Sequence, residues 1–101
     1  MISGSTNHEY QAMISSTVTI INKLGLHARA ASKLVNCASG FAAQVWISRG
    51  EREINGKSIM GVLTLAAGRG TELGLRADGS DEEAAIAAIT ALIGDYFGEG
   101  E

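Results

Sequence analysis

With 101 residues, 46% of them apolar and a formal charge of −3, the chain has the composition of one compact domain with a single core. It contains no proline, so turns fall to glycine, asparagine, aspartate and serine, and its lone cysteine, Cys37, excludes an internal disulfide or a cysteine-clustered zinc site. Apolar runs are too short for a membrane span and none resembles a signal peptide, so a soluble cytoplasmic protein without membrane insertion is expected.

Residues 1–12, "MISGSTNHEYQA", have no sustained periodicity. They are read as an N-terminal extension holding His8, with the domain expected over 13–101. "TVTIIN" (17–22) is β-branched and alternating, a predicted strand ending in the turn-forming "NKLG". From Ala28 the period becomes helical: Ala31, Leu34, Val35 and Ala38 share one face, and Gly40 is the expected stop. Cys37 is read as a small buried hydrophobe of that helix. "AQVWIS" (43–48) and "EREIN" (51–55) flank Arg49-Gly50 as a hairpin, with Trp46 on the face opposite Val45 and Ile47.

"NGKSIMGVLTLAAG" (55–68) predicts a short helix with Ser58 at its N-cap and Gly68 after its end. "TELGLRADG" (71–79) is a further alternating strand closed by Asp-Gly. "SDEEAAIAAITALIGDYF" then opens on an expected capping box, Ser80 with Glu83, and places Ile86, Ile89, Ile93 and Phe97 in one stripe. The order β-α-β-β-α-β-α, with one apolar face per strand, predicts a two-layer α+β sandwich with helices covering one face of the sheet.

Charge divides unevenly: residues 13–57 sum to +4 and residues 58–101 to −6. An acidic chain without a dense basic stripe is a poor nucleic-acid binder. His27 lies in the basic segment, at or beside the start of the first helix. There the free N–H groups of the first turn form an anion site and the helix dipole disfavours an imidazolium. A neutral nitrogen nucleophile beside an anion cradle suits phosphoryl transfer, with Arg29 as a charge-assisted donor. From these residues alone a plain surface histidine is the better reading. A metal site lacks partners at ligand spacing, and a hydrolytic dyad lacks both a nucleophile elbow and an assignable carboxylate.

"NKLGLHARAASKLV" followed by "NGKSIMGVLTLAAGRG" resembles the HPr family, the histidine-containing phosphocarriers of the bacterial phosphoenolpyruvate:sugar phosphotransferase system. The resemblance runs from about Met13 to Phe97. It implies an open-faced β-sandwich, a four-stranded antiparallel sheet in the order 1-4-2-3 with three helices on one face. It implies that His27 is phosphorylated on Nδ1 and that Arg29 is the active-site arginine. It also implies a carrier rather than an enzyme, charged by enzyme I, discharged to sugar-specific enzyme IIA domains, and needing no cofactor. Ser58 matches the position phosphorylated in some bacteria by HPr kinase/phosphorylase, and Lys33, Ile59, Met60 and Leu63 match the docking rim. A monomer is expected from the shuttling role.

Two departures stand out. Ala30 replaces the family's proline, which predicts a slightly looser site with one added N–H donor. The terminal "GEGE" runs past the usual end, so no role near Arg29 is assigned to a terminal carboxylate. The alternatives are a regulatory HPr-like protein, nitrogen-related or controlled through Ser58 without a role in sugar transport, and a plain interaction module with a structural His27. "NGKSIMGV" favours the sugar branch, because nitrogen-related relatives usually diverge there.

Overall fold

The computed structural model describes residues 13–100; the expected extension over 1–12, His8 included, lies outside the described residues, as does Glu101. The elements are β1 (Ile14–Thr19), α1 (Ala28–Ser39), β2 (Gln44–Arg49), β3 (Arg52–Asn55), α2 (Ile59–Thr64), β4 (Glu72–Asp78) and α3 (Glu82–Gly94), then a 3-10 turn at Tyr96–Gly98. The four strands form one antiparallel sheet in the order β1-β4-β2-β3.

Alternation sorts the two faces of this sheet. Val45 and Ile47 of β2 and Leu73, Leu75 and Ala77 of β4 are buried under the helices. Trp46 points the other way, as its spacing predicts, and is half-buried by a neighbour. Its cross-strand partner is Arg76, whose guanidinium carbon lies 4.0 Å from the indole centroid. Glu53 binds the same guanidinium at 2.8 and 3.2 Å. Stacking and ion pairing thus cover apolar area on the open face, a contribution of about 0.5–1 kcal/mol for the cation–π contact at an exposed site.

α1 buries Ala30, Ala31, Leu34 and Ala38, and α3 buries Ala85, Ile89 and Ile93. Val35 and Ile86 are only partly buried at the edges of these stripes. Cys37 is also partly rather than fully buried, and desolvation pushes its thiol up in pKa, away from the reactive thiolate.

Several element ends differ from the sequence-based expectation. β1 lies three residues earlier than predicted, because its partner β4 begins at Glu72, opposite Thr19, and pairing stops there. Ile20 continues through bonds to the Gly70–Thr71 loop and is fully buried. Gly40 caps α1 with φ −75°, so no left-handed stop is used. α2 begins as predicted, with Ser58 Oγ accepting the Gly61 N–H at 3.1 Å, but it ends at Thr64, well before Gly68. Arg49 donates to the Leu65 and Ala66 carbonyls at 2.9 and 3.0 Å, and Ala66 takes φ +50°, so a strand side chain ends this helix.

The predicted capping box does not form. Asp81 is the N-cap of α3, and Glu82 reaches back to accept the Gly79 N–H at 2.9 Å. Asp81 instead accepts the N–H groups of Ala42 and Ala43 at 2.9 and 2.8 Å, tying α3 to the α1–β2 loop. Phe97 is buried as expected but is not part of the helical stripe. α3 ends at Gly94, and Tyr96 and Phe97 turn left-handed, with φ +57° and +53°. Burial of the phenyl ring and a bond from Lys33 Nζ to the Phe97 carbonyl at 2.6 Å offset that strain.

The two backbone N–H donors hold the Asp81 carboxyl below its ordinary value of 3.8. Because the folded value is the lower one, this stabilisation is fully present above about pH 4 and is lost as pH falls through the folded value. Urea midpoints measured between about pH 2 and pH 7 should therefore fall less steeply on the acid side in Asp81→Asn than in the unmodified protein.

Candidate functional site

The segment between β1 and α1 folds around a buried amide. Asn22 is fully buried, its Nδ2 donates to the Gly25 carbonyl at 2.9 Å, and Gly25 N–H donates back to the Asn22 carbonyl at 3.2 Å. Gly25 is required here for two reasons. Its φ is +69°, and an added Cβ would lie 2.7 Å from the Ala67 carbonyl oxygen and 2.8 Å from the Gly68 Cα. The close approach lets Leu26 N–H donate to Ala67 O at 2.8 Å, docking this loop on the α2–β4 connection. Leu26 goes into the core, whereas Leu24 is left 67% exposed.

His27 follows as the N-cap of α1, extended at φ −74° and ψ 177°, and its carbonyl accepts the first helical bond from Ala31 N–H at 2.8 Å. The N–H groups of Ala28, Arg29 and Ala30 precede that first bond and have no acceptor within the helix. The imidazole itself caps nothing. It borders an open cavity of about 800 Å³, with Lys23, Leu24, Arg29, Lys33, Gly98 and Glu99 around it. Arg29 is exposed, and among the described residues it has no hydrogen-bond partner. Lys33 lines the same cavity while its ammonium is bound to the Phe97 carbonyl.

Glu99 was not among the residues singled out from sequence, yet it makes one of the two shortest polar contacts of the site. Its Oε2 lies 2.6 Å from His27 Nε2 and its Oε1 accepts Asn22 Nδ2 at 3.1 Å. The side chains of His27 and Glu99 are 29% and 14% exposed. Partial desolvation works to raise the Glu99 carboxyl, but the hydrogen bonds from His27 and Asn22 outweigh it, and the group is held below its ordinary value. Glu99 thus reaches the site, through its side chain and at His27 rather than at Arg29. The only sequence hint was the acidic "GEGE" itself, and nothing in its pattern named a partner 72 residues away.

Ser58, the N-cap of α2, and Ile59, Met60 and Leu63 within it lie outside the cavity, and α2 packs against α1. Ile59 and Met60 are 40% and 68% exposed, while Leu63 is half-buried against the core. Among the described residues no cluster of three metal-ligating side chains occurs, and no helix is long and apolar enough to cross a membrane.

Among the described residues one face of the sheet carries no helix, and one histidine stands at a helix N-terminus among cations, which together define an open-faced sandwich with a single exposed-edge histidine. Residues 14–95 match the family model described as "PTS HPr component phosphorylation site". The phosphocarrier protein HPr of Cupriavidus necator is 54% identical over 89 residues, 88% of this chain and 100% of that one. The same protein of Neisseria meningitidis serogroup A is 52% identical over equal shares. The crystal structure of HPr-C-His from Thermoanaerobacter tengcongensis superposes with a TM-score of 0.83 at 44% identity, covering 85% of this chain and 97% of that one. The chain belongs to the HPr family, the phosphocarriers of the phosphotransferase system.

Gly25→Ala should cost at least about 1–3 kcal/mol, since it adds left-handed strain to a backbone clash. The Leu26 amide, protected by Ala67 O, should lose hydrogen-exchange protection in that variant by more than amides of β4 do.

Proposed function

We propose that His27 accepts a phosphoryl group on Nδ1 from phosphorylated enzyme I, charged by phosphoenolpyruvate, and passes it to sugar-specific enzyme IIA domains. The observation that carries this reading is the division of labour on the ring. Nε2 is engaged by Glu99, which leaves Nδ1 without a protein partner among the described residues, on the N-cap of a helix whose first N–H groups have no acceptor within it. The Nδ1 lone pair forms the N–P bond as the bond from phosphorus to the donor breaks, and the reverse step discharges the carrier. Arg29 and the first-turn N–H groups stabilise the oxygens of the transferring group. Catalysis of this kind is mostly positioning and charge stabilisation, which a small carrier and its partners provide between them. The chain turns over no small molecule of its own.

The exposed Ile59 and Met60, with Leu63 and Lys33, form the docking rim for enzyme I and enzyme IIA domains. A modest apolar patch beside a basic segment favours fast encounter and fast release in a cytoplasmic, monomeric shuttle. Ser58 adds regulation. A phosphate placed there by HPr kinase/phosphorylase would put charge beside that patch and weaken docking.

Incubation with enzyme I and phosphoenolpyruvate should yield an acid-labile, alkali-stable phosphate mapped to His27 and absent from His27→Ala. No label from an enzyme I active on its own carrier would sink the reading. Ser58→Ala should lose about 1 kcal/mol of stability with the N-cap and retain labelling at His27. Loss of that labelling in a folded Ser58→Ala protein would contradict a regulatory role.

A further inference from the structure

The geometry points to Glu99, held by Asn22, as a positioning residue for phosphoryl acceptance, one that keeps the proton of His27 on Nε2 and the lone pair on Nδ1. This inference deepens the carrier reading and rests on it.

An ionised carboxylate only accepts hydrogen bonds, so at 2.6 Å from Glu99 Oε2 the ring nitrogen Nε2 must be the donor. In a neutral imidazole the proton is then on Nε2 and Nδ1 is left as the nucleophile. Asn22 makes the arrangement directional. Its amide is fully buried, with Nδ2 shared between Gly25 O at 2.9 Å and Glu99 Oε1 at 3.1 Å, so the carboxylate is gripped from the loop that also sets His27. Among the described residues Asn22 Oδ1 is buried with no hydrogen-bond partner. On the far side, Lys33 Nζ binds Phe97 O at 2.6 Å and anchors the backbone that delivers Glu99.

The chemistry that follows balances without a proton leaving. The Nδ1 lone pair forms the N–P bond, the donor's bond to phosphorus breaks, and the electron pair of that bond returns to the donor. The ring, still protonated on Nε2, becomes positive, and the Glu99 carboxylate meets that charge where it develops. The phosphoryl oxygens add negative charge across the ring. Coulomb energy falls with distance, so attraction at the 2.6 Å contact exceeds repulsion from the opposite nitrogen. When the group moves on, the N–P bond breaks, its electron pair returns to Nδ1, and Nε2–H is again the donor to Glu99.

The test combines imidazole ¹⁵N spectra with single-turnover phosphoryl transfer from enzyme I, using the full chain with Glu99→Ala and Glu99→Gln. The unmodified protein should show one neutral tautomer, protonated on Nε2. Glu99→Ala should show mixed tautomers and a transfer rate about 10- to 100-fold lower, the loss typical of metal-bound histidines deprived of their orienting carboxylate. Its thermal midpoint should stay near that of the unmodified protein. Glu99→Gln, which keeps an acceptor but not the charge, should retain more of the Nε2–H tautomer than alanine while still transferring slowly. A single Nε2–H tautomer in Glu99→Ala, or transfer within about twofold of the unmodified protein, overturns the proposal. Failure of the unmodified protein to be labelled on His27 brings down the carrier reading instead, and the two failures are thereby told apart.

Discussion

One backbone hydrogen bond organises the functional end of this molecule, from Leu26 N–H to the Ala67 carbonyl at 2.8 Å. It joins the loop before α1 to the loop after α2, and it exists only because Gly25 has no Cβ to hold the two backbones apart. Leu26 is thereby driven into the core, and the next residue is obliged to start a helix at the surface. His27 is an N-cap because Leu26 is pinned. The other loop is held with equal care, since Arg49 binds the carbonyls on either side of the strained Ala66 turn. Two connections without regular structure are thereby tied to each other and to β2, and the site is built on them.

The one-sided architecture explains how so small a chain presents the His27 ring at its surface. All of α1, α2 and α3 share the inner face of the sheet, so their termini and connecting loops gather at its ends. Among the described residues the outer face is covered by side chains, with Arg76 lying over Trp46 and paired to Glu53. The charge asymmetry of the chain also acquires a meaning in three dimensions. The acidic C-terminal half returns to the basic N-terminal half, and Glu99 lands on His27 between Lys23, Arg29 and Lys33.

Much of the fold was legible because its periodicities are clean. Ala31, Leu34 and Ala38 mark the inner face of α1, and Val45, Ile47, Leu73 and Leu75 mark the inner face of the sheet. Local bonds such as the Ser58 cap could be read because both partners lie within three residues of each other. Element ends were misread where a distant group decides them. β1 stops where β4 begins, α2 stops where Arg49 supplies donors, and Asp81 turns from its own helix to the amides of Ala42 and Ala43. Phe97 reads as a continuation of the α3 stripe, but the chain leaves the helix at Gly94 and reaches the core by a left-handed route. Local propensity cannot foresee an ending imposed by tertiary contact.

The sequence by itself determined the two-layer class and, by resemblance, the sheet order and family, and it singled out His27 as the histidine with chemical prospects. Those properties follow from short-range patterns and from motifs with contiguous spacing. Tertiary structure alone decided what His27 touches, that Asn22 is a buried clamp, that Lys33 is tied to a carbonyl, and that Leu24 and Met60 are exposed. The physical reason is separation along the chain. The contacts of Glu99 with His27 and Asn22 span 72 and 77 residues, and only the packing of α3 and its 3-10 turn against α1 brings those carboxylate oxygens to the ring and the amide.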